Sequence, residues 1–165
     1  MYYRILVAVW AIPVMIAFAG CSTGEDKWTA MRPPVYKTHG VVREDGQPLS
    51  DAIVIFSAQD GDYSGTASTN ESGEYQMTTF EDYDGVIEGE FLVSIEKNDW
   101  IPYGPEPSES VDGLRSSRPL KKVRLTAKKY ADFEKSGFSV VVSPEGPNTF
   151  DFDLESDPKI ASRGG

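Results

Sequence analysis

The chain has 165 residues, of which 39% are hydrophobic, 12% aromatic and 25% charged, a composition typical of one globular domain with a buried core. Its formal net charge of −10 predicts no nucleic-acid partner, because phosphate binding needs clustered Lys and Arg side chains. One cysteine and one histidine exclude an internal disulfide framework and a multi-histidine zinc site, and we predict no cofactor.

The first twenty residues predict a lipoprotein signal peptide. Arg4 precedes an apolar run over residues 5–18, which is shorter than the roughly 20 residues of a membrane span. The run leads into Phe18-Ala19-Gly20-Cys21, which resembles a bacterial lipobox. The resemblance implies cleavage before Cys21 and attachment of acyl chains such as palmitate to it. We therefore expect a lipid-anchored envelope protein whose membrane partner is reached through Cys21.

Two further expectations concern the mature N-terminus. Ser22 follows the cysteine where an Asp would resemble an inner-membrane retention signal, so the resemblance favours the outer membrane if the cell has one. The domain would then lie in the periplasm or at the cell surface. Residues 21–37 are polar, contain Pro33-Pro34 and lack periodicity, which predicts a flexible tether.

The residues after the tether predict an all-β fold. Short runs rich in β-branched and aromatic residues alternate with turn signals such as Asp45-Gly46, and no long helical crossover is available. Seven strands are expected, at residues 38–42, 52–57, 64–69, 74–79, 89–96, 138–142 and 150–154. They predict one antiparallel β-sandwich domain over residues 38–154, followed by a disordered tail at 155–165.

One long connection interrupts the strands. Residues 97–125 hold four prolines and no sustained apolar period, which predicts a structureless loop that serves as a contact surface. Residues 126–135 predict one or two helical turns, with Tyr130 and Phe133 directed towards the core.

Several segments resemble the carboxypeptidase regulatory-like domains. They are GVVREDGQPLSDAIVIF at residues 40–56, TNESGEYQM at 69–77 and GEFLVSI at 89–95, with Asn70 where the family more often has Asp. Residues 127–138 and 148–154 resemble small bacterial lipoproteins that carry one such domain. The resemblance spans about residues 38–154 and implies a transthyretin-like (prealbumin-like) Greek-key sandwich.

Enzyme chemistry has little support in the residues. His39 could act as a base or a ligand, but the His-x-x-Glu pattern of the zinc carboxypeptidases is absent because Val42 stands three residues on. We therefore predict a non-enzymatic structural or interaction module, with a hydrolase dependent on His39 as the remote alternative.

Two kinds of binding site are weighed. Tyr83, Trp100 and Tyr103 lie in predicted loops, where they would either stack on a glycan or an envelope protein, or pack in a satellite core. Acidic turns make weak candidates for Ca²⁺, although the EF-hand spacing fails and solvated turn acids are the favoured interpretation. The candidate calcium ligands are Asp60, Asp62, Asp82 and Asp84.

A basic segment follows the long connection. It would press against anionic lipid head groups or, in the favoured interpretation, remain a solvated face that balances nearby acids. Its members are Arg115, Arg118, Lys121, Lys122, Arg124, Lys128 and Lys129.

Overall fold

The computed structural model describes residues 29–105 and 118–158. The chain divides into two compact units, Met1–Arg32 and Pro33–Gly165. In the first unit the described residues form a 3₁₀ turn, Thr29–Met31. The predicted signal peptide, Cys21 and most of the predicted tail lie outside the described residues.

The second unit is built from strands. One short helical element, the 3₁₀ turn Lys128–Ala131, lies among them. The strands are β1 Val35–Tyr36, β2 Thr38–Glu44, β3 Gln47–Pro48, β4 Ile53–Ala58, β5 Ser64–Ser68, β6 Glu74–Gln76, β7 Val86–Ile87, β8 Gly89–Glu96, β9 Asn98–Pro102, β10 Leu120–Arg124, β11 Phe138–Val142, β12 Asn148–Thr149 and β13 Phe152–Leu154. The all-β prediction is therefore confirmed.

Two sheets carry most of the fold. The first has the order β11-β8-β4-β5, with every neighbouring pair antiparallel. The second surrounds β2, which pairs with β3 and β6 on one edge and with β12 and β13 on the other. The sheets are mainly antiparallel, as expected, and the pairs that β2 forms with β12 and β13 are parallel. Alternation along a strand shows which face is buried, but it does not reveal the direction of the neighbouring strand.

The buried faces meet around Phe56. In β8 the alternation of Phe91, Val93 and Ile95 is confirmed, because all three side chains are fully buried. The Phe56 ring lies 6.1 Å from the rings of Phe91, Phe150 and Phe152 and 6.4 Å from that of Tyr75. Phe56 therefore joins residues from both sheets in a single core.

The edge of β2 contains a close backbone approach. A Cβ atom on Gly40 would lie 1.8 Å from the carbonyl oxygen of Phe150, so the strand has no room for a side chain there. The Tyr75 hydroxyl donates to that carbonyl at 2.6 Å. Asp151 Oδ1 accepts a hydrogen bond from the Val41 N–H at 2.9 Å. Between β12 and β13, this carboxylate therefore takes the place that a backbone carbonyl has in a regular sheet.

Two expectations about the connections are wrong. Residues 35 and 36 were expected in the tether, but β1 pairs with β7 and thus belongs to the folded unit. Residues 97–125 were expected to lack structure, but β9 and β10 form an antiparallel ribbon. The predicted helical turn is present as Lys128–Ala131, where Tyr130 is buried and Phe133 half-buried. In the residues that the structure describes, we find no helix long and apolar enough to cross a bilayer.

Candidate functional site

An exposed two-stranded ribbon replaces the predicted loop. Five cross-strand pairs hold it, from Arg124–Asn98 at the base to Leu120–Pro102 at the far end. Beyond that pair, the Tyr103 N–H donates to the Pro119 carbonyl at 2.8 Å. We call β9, β10 and Tyr103 the ribbon.

The base of the ribbon is tied to the body of the domain. The Lys97 N–H donates to the Thr126 hydroxyl at 3.2 Å, and the Leu125 N–H donates to the Lys97 carbonyl at 2.8 Å. Thr126 is fully buried. The position where the ribbon leaves the domain is consequently set by two hydrogen bonds, one of them to the buried Thr126.

The outer part of the ribbon is exposed on both faces. Trp100, Ile101, Tyr103 and Leu120 are between 44% and 62% exposed. These are large apolar or aromatic side chains that a folded domain would normally cover. Exposed large apolar side chains are a common feature of contact surfaces, so the ribbon is a candidate contact surface.

Successive side chains of each strand point to opposite sides, so the ribbon has two faces. Residues opposite one another share a face, so the first face holds Trp100 with Lys122 and Pro102 with Leu120. The second face holds Ile101 with Lys121, together with Tyr103. We call the face of Trp100 the tryptophan face.

Cations accompany the aromatic side chains. Lys122 Nζ lies 3.4 Å from Glu96 Oε1, and Arg124 lies 3.6 Å from Glu96 Oε2, so one half-buried carboxylate holds two cations on the tryptophan face. On the opposite face Lys121 Nζ lies 5.8 Å from the centre of the Tyr103 ring. The described part of the ribbon is thus both aromatic and cationic, in a chain whose net charge is −10.

Tyr83 occupies a different surface. The loop before β7 presents it 60% exposed and with a positive φ of 58°, which is uncommon for a bulky residue. Its N–H donates to the Thr78 hydroxyl at 2.9 Å, and its carbonyl accepts from Lys37 Nζ at 2.6 Å. Hydrogen bonds on both sides therefore fix the backbone that carries the ring.

Asp84 organises the same loop. Its carboxylate accepts the backbone N–H groups of Thr79, Phe80 and Glu81 at 2.7, 2.9 and 2.9 Å. Partial burial acts to raise the pKa of Asp84, but these hydrogen bonds favour the charged form and hold the pKa below its usual range. The carboxylate is thus used to close the turn.

Two open clefts adjoin the Tyr83 ring. One has a volume of about 400 Å³ and includes Ile53, Thr66 and Asp82 in its lining. The other has a volume of about 250 Å³ and includes Lys37 and His39. Tyr83 and Gln76 line both clefts, so an exposed tyrosine lies beside groups that donate and accept hydrogen bonds.

The candidate calcium ligands do not form a metal centre in the described part of the chain. No group of three or more His, Cys, Asp or Glu residues there is placed to hold an ion. Asp60 accepts the Asp62 N–H at 3.4 Å, as a turn residue does. Asp82 lines the larger cleft beside Tyr83, whereas Asp84 is occupied by the backbone.

His39 lies on the exposed face of β2. Its Nε2 is 3.3 Å from the Thr149 hydroxyl. A hydroxyl and an imidazole form two parts of a nucleophilic triad, which also needs a carboxylate to orient the ring. In the described part of the chain, the His39 ring makes its side-chain hydrogen bond with the Thr149 hydroxyl.

The structure separates the predicted aromatic site residues. It places Trp100 and Tyr103 on the ribbon and Tyr83 on the loop at 79–85. Sequence reasoning missed Ile101 and Leu120, which are exposed beside them. The run Trp100-Ile101 next to two prolines was an available signal, because apolar residues on both faces of a strand indicate either complete burial or a surface for a partner.

Comparisons with protein-family models, with curated proteins and with solved structures gave no significant match to this chain.

Proposed function

We propose that the protein is a lipid-anchored, non-enzymatic module of the cell envelope, with a transthyretin-like sandwich that presents the ribbon to a partner. The observation that carries the proposal is the exposure of four large apolar or aromatic side chains on one two-stranded element. The Phe18-Ala19-Gly20-Cys21 sequence supports acylation at Cys21. The resemblance of residues 38–154 to carboxypeptidase regulatory-like domains supports the sandwich topology.

The anchor is tested by metabolic labelling with a fatty-acid analogue. Cells that express the chain should label it and retain it in the membrane fraction. The Cys21→Ser variant should lose the label, because the chain has no other cysteine. Labelling that is equal in the two proteins would refute acylation at this residue.

The role of the ribbon is tested by crosslinking in cells. A photoreactive amino acid at position 101 or 120, on opposite faces of the ribbon, should capture an envelope component. The matched control carries the same group at Val141, which is 62% exposed on β11. Equal capture at all three positions would show that the ribbon is not a specific contact surface.

A second function, carbohydrate binding, is favoured by the geometry around Tyr83. An exposed ring beside two clefts that contain both polar and apolar groups suits a sugar, whose apolar face stacks on an aromatic ring while its hydroxyl groups meet polar side chains. On a glycan array, binding should be lost in Tyr83→Ala and kept in Tyr103→Ala, since both tyrosines are about equally exposed. Equal loss in both variants would refute this cleft as the site.

A further inference from the structure

The ribbon also indicates the class of its partner. The described residues of β9 and β10, with Arg118, include four cations and one acid, Asp99. Glu96 at the base pairs with Lys122 and Arg124, so the four cations face two acids in all. The rest of the chain is strongly acidic. A cationic element on an acidic protein favours a negatively charged partner, which it attracts more than the acidic parts of the surface do.

The tryptophan face combines features that suit a bilayer interface. Trp100, Pro102 and Leu120 supply aromatic and apolar contact, and Lys122 and Arg124 lie on the same face. Tryptophan is enriched at the level of the lipid head groups, and Lys or Arg side chains there reach anionic phosphates while their stems cover apolar surface. From Asn98 to Pro102 this face extends for about 13 Å along the strand.

From these observations we propose that the tryptophan face of the ribbon docks on an anionic lipid bilayer. The inference rests on the proposed lipid anchor, which would hold the domain near the membrane. The 12 residues from Cys21 to Pro33 span at most about 40 Å. Tethering at this length gives a high effective concentration, so a face with a few cations docks without strong intrinsic affinity.

The test follows the fluorescence of Trp100 in the lipid-anchored chain that begins at Cys21. There Trp28→Phe leaves Trp100 as the only tryptophan. The protein is reconstituted with vesicles of phosphatidylcholine alone or of phosphatidylcholine and phosphatidylglycerol in equal parts, with brominated acyl chains as quenchers. Trp100 should shift to the blue and be quenched in the anionic vesicles. About 1 M NaCl should reverse the change, because the Debye length is then about 3 Å.

Neighbouring lysines supply a matched pair of variants. Lys122→Glu lies on the tryptophan face, whereas Lys121→Glu makes the same charge change on the opposite face. Lys122→Glu should weaken docking by about 10- to 30-fold, and Lys121→Glu should weaken it by clearly less. Equal effects of the two variants would refute docking by one face.

The remaining outcomes separate docking from anchoring. Co-flotation with vesicles measures attachment of the chain, and Trp100 quenching measures docking of the ribbon whether or not the chain floats. Attachment without quenching in either lipid would overturn the bilayer as partner and leave a protein or glycan for the ribbon. Quenching that is equal in both lipids and unaffected by salt would refute anionic recognition.

Discussion

The close approach at Gly40 allows a quantitative prediction about the sandwich. In Gly40→Ala, the new methyl carbon would lie 1.8 Å from the Phe150 carbonyl oxygen, whereas a carbon–oxygen contact normally needs about 3.3 Å. The segment between β12 and β13 must therefore move by roughly 1.5 Å away from β2. A side-chain rotation cannot relieve the overlap, because the obstructing atoms are backbone atoms.

The movement would break three hydrogen bonds at once. They are the bond from the Phe150 N–H to the His39 carbonyl at 2.9 Å, the bond from the Tyr75 hydroxyl to the Phe150 carbonyl, and the bond from the Val41 N–H to Asp151. Each contributes about 1 kcal/mol net, and a carbonyl left without a partner adds about 1–3 kcal/mol. We expect Gly40→Ala to lower the free energy of unfolding by about 4–6 kcal/mol, a large part of the roughly 5–15 kcal/mol of a typical domain.

Urea unfolding followed by circular dichroism measures this change. Gly146→Ala is the matched control, because its added Cβ would meet nothing closer than 3.5 Å and should change stability by less than about 0.5 kcal/mol. Tyr75→Phe isolates one of the three bonds and should cost about 1–3 kcal/mol. A Gly40→Ala protein within about 0.5 kcal/mol of the unmodified chain would refute the close approach and the pairing of β13 with β2.

The remaining predictions concern the core, the Tyr83 loop and the ribbon. Phe56→Ala should destabilise the domain by about 3–5 kcal/mol in the same urea assay, because the ring is fully buried; a cost below about 1 kcal/mol would place it outside the core. Asp84→Asn should cost about 1–2 kcal/mol at neutral pH. The pKa of Asp84 is lowered in the folded state, so its charged form stabilises the fold above about pH 4. This stability is lost as the pH falls through the folded-state pKa. The difference between the two proteins should therefore shrink in acid, and a penalty that stays constant with pH would contradict the role of the carboxylate charge. Trp100→Ala should change stability by less than about 0.5 kcal/mol, because the ring is exposed, and a larger loss would show that Trp100 packs in the fold.

Sequence periodicity predicted the strands that have one buried face. β8 alternates Phe91, Val93 and Ile95 with more exposed residues, and its bounds agree with the expected range. The Asp45-Gly46 signal also proved correct, because both residues have positive φ and join β2 to β3. These features depend on neighbours within a few residues, which is the range that a single sequence reveals.

The ribbon could not be predicted in the same way. The residues of β9, Asn-Asp-Trp-Ile-Pro, have no buried face, so no alternation of apolar and polar residues marks them as a strand. The prolines of this segment strengthened the expectation of a loop, yet Pro102 lies at the end of β9 and Pro119 immediately precedes β10, where a strand tolerates proline. The pairing itself depends on residues that lie about 20 positions apart.

The same limit applies to Gly40 and Tyr83. A glycine inside a strand signals a close approach, but the approaching Phe150 lies 110 positions away, and its arrival depends on the parallel pairing of β13. The sequence left open whether Tyr83 is exposed or packs in a satellite core, and the two clefts beside it are formed by residues of β2, β4, β5 and β6 together with the loop. Local patterns predict the elements, and contacts between distant elements create the candidate sites.

The construction of the ribbon bears on its role. At the base, buried Thr126 and the half-buried carboxylate of Glu96 fix the direction in which β9 and β10 leave the domain. Towards the far end, Trp100 and Leu120 remain exposed although burial of such side chains would contribute about 1.5–3 kcal/mol each. An element that only completed the core would bury these residues and would not need a fixed direction. A held base and an uncovered outer part together suit an element whose apolar surface is covered by a partner, which is why the predictions for lipid docking and crosslinking both centre on it.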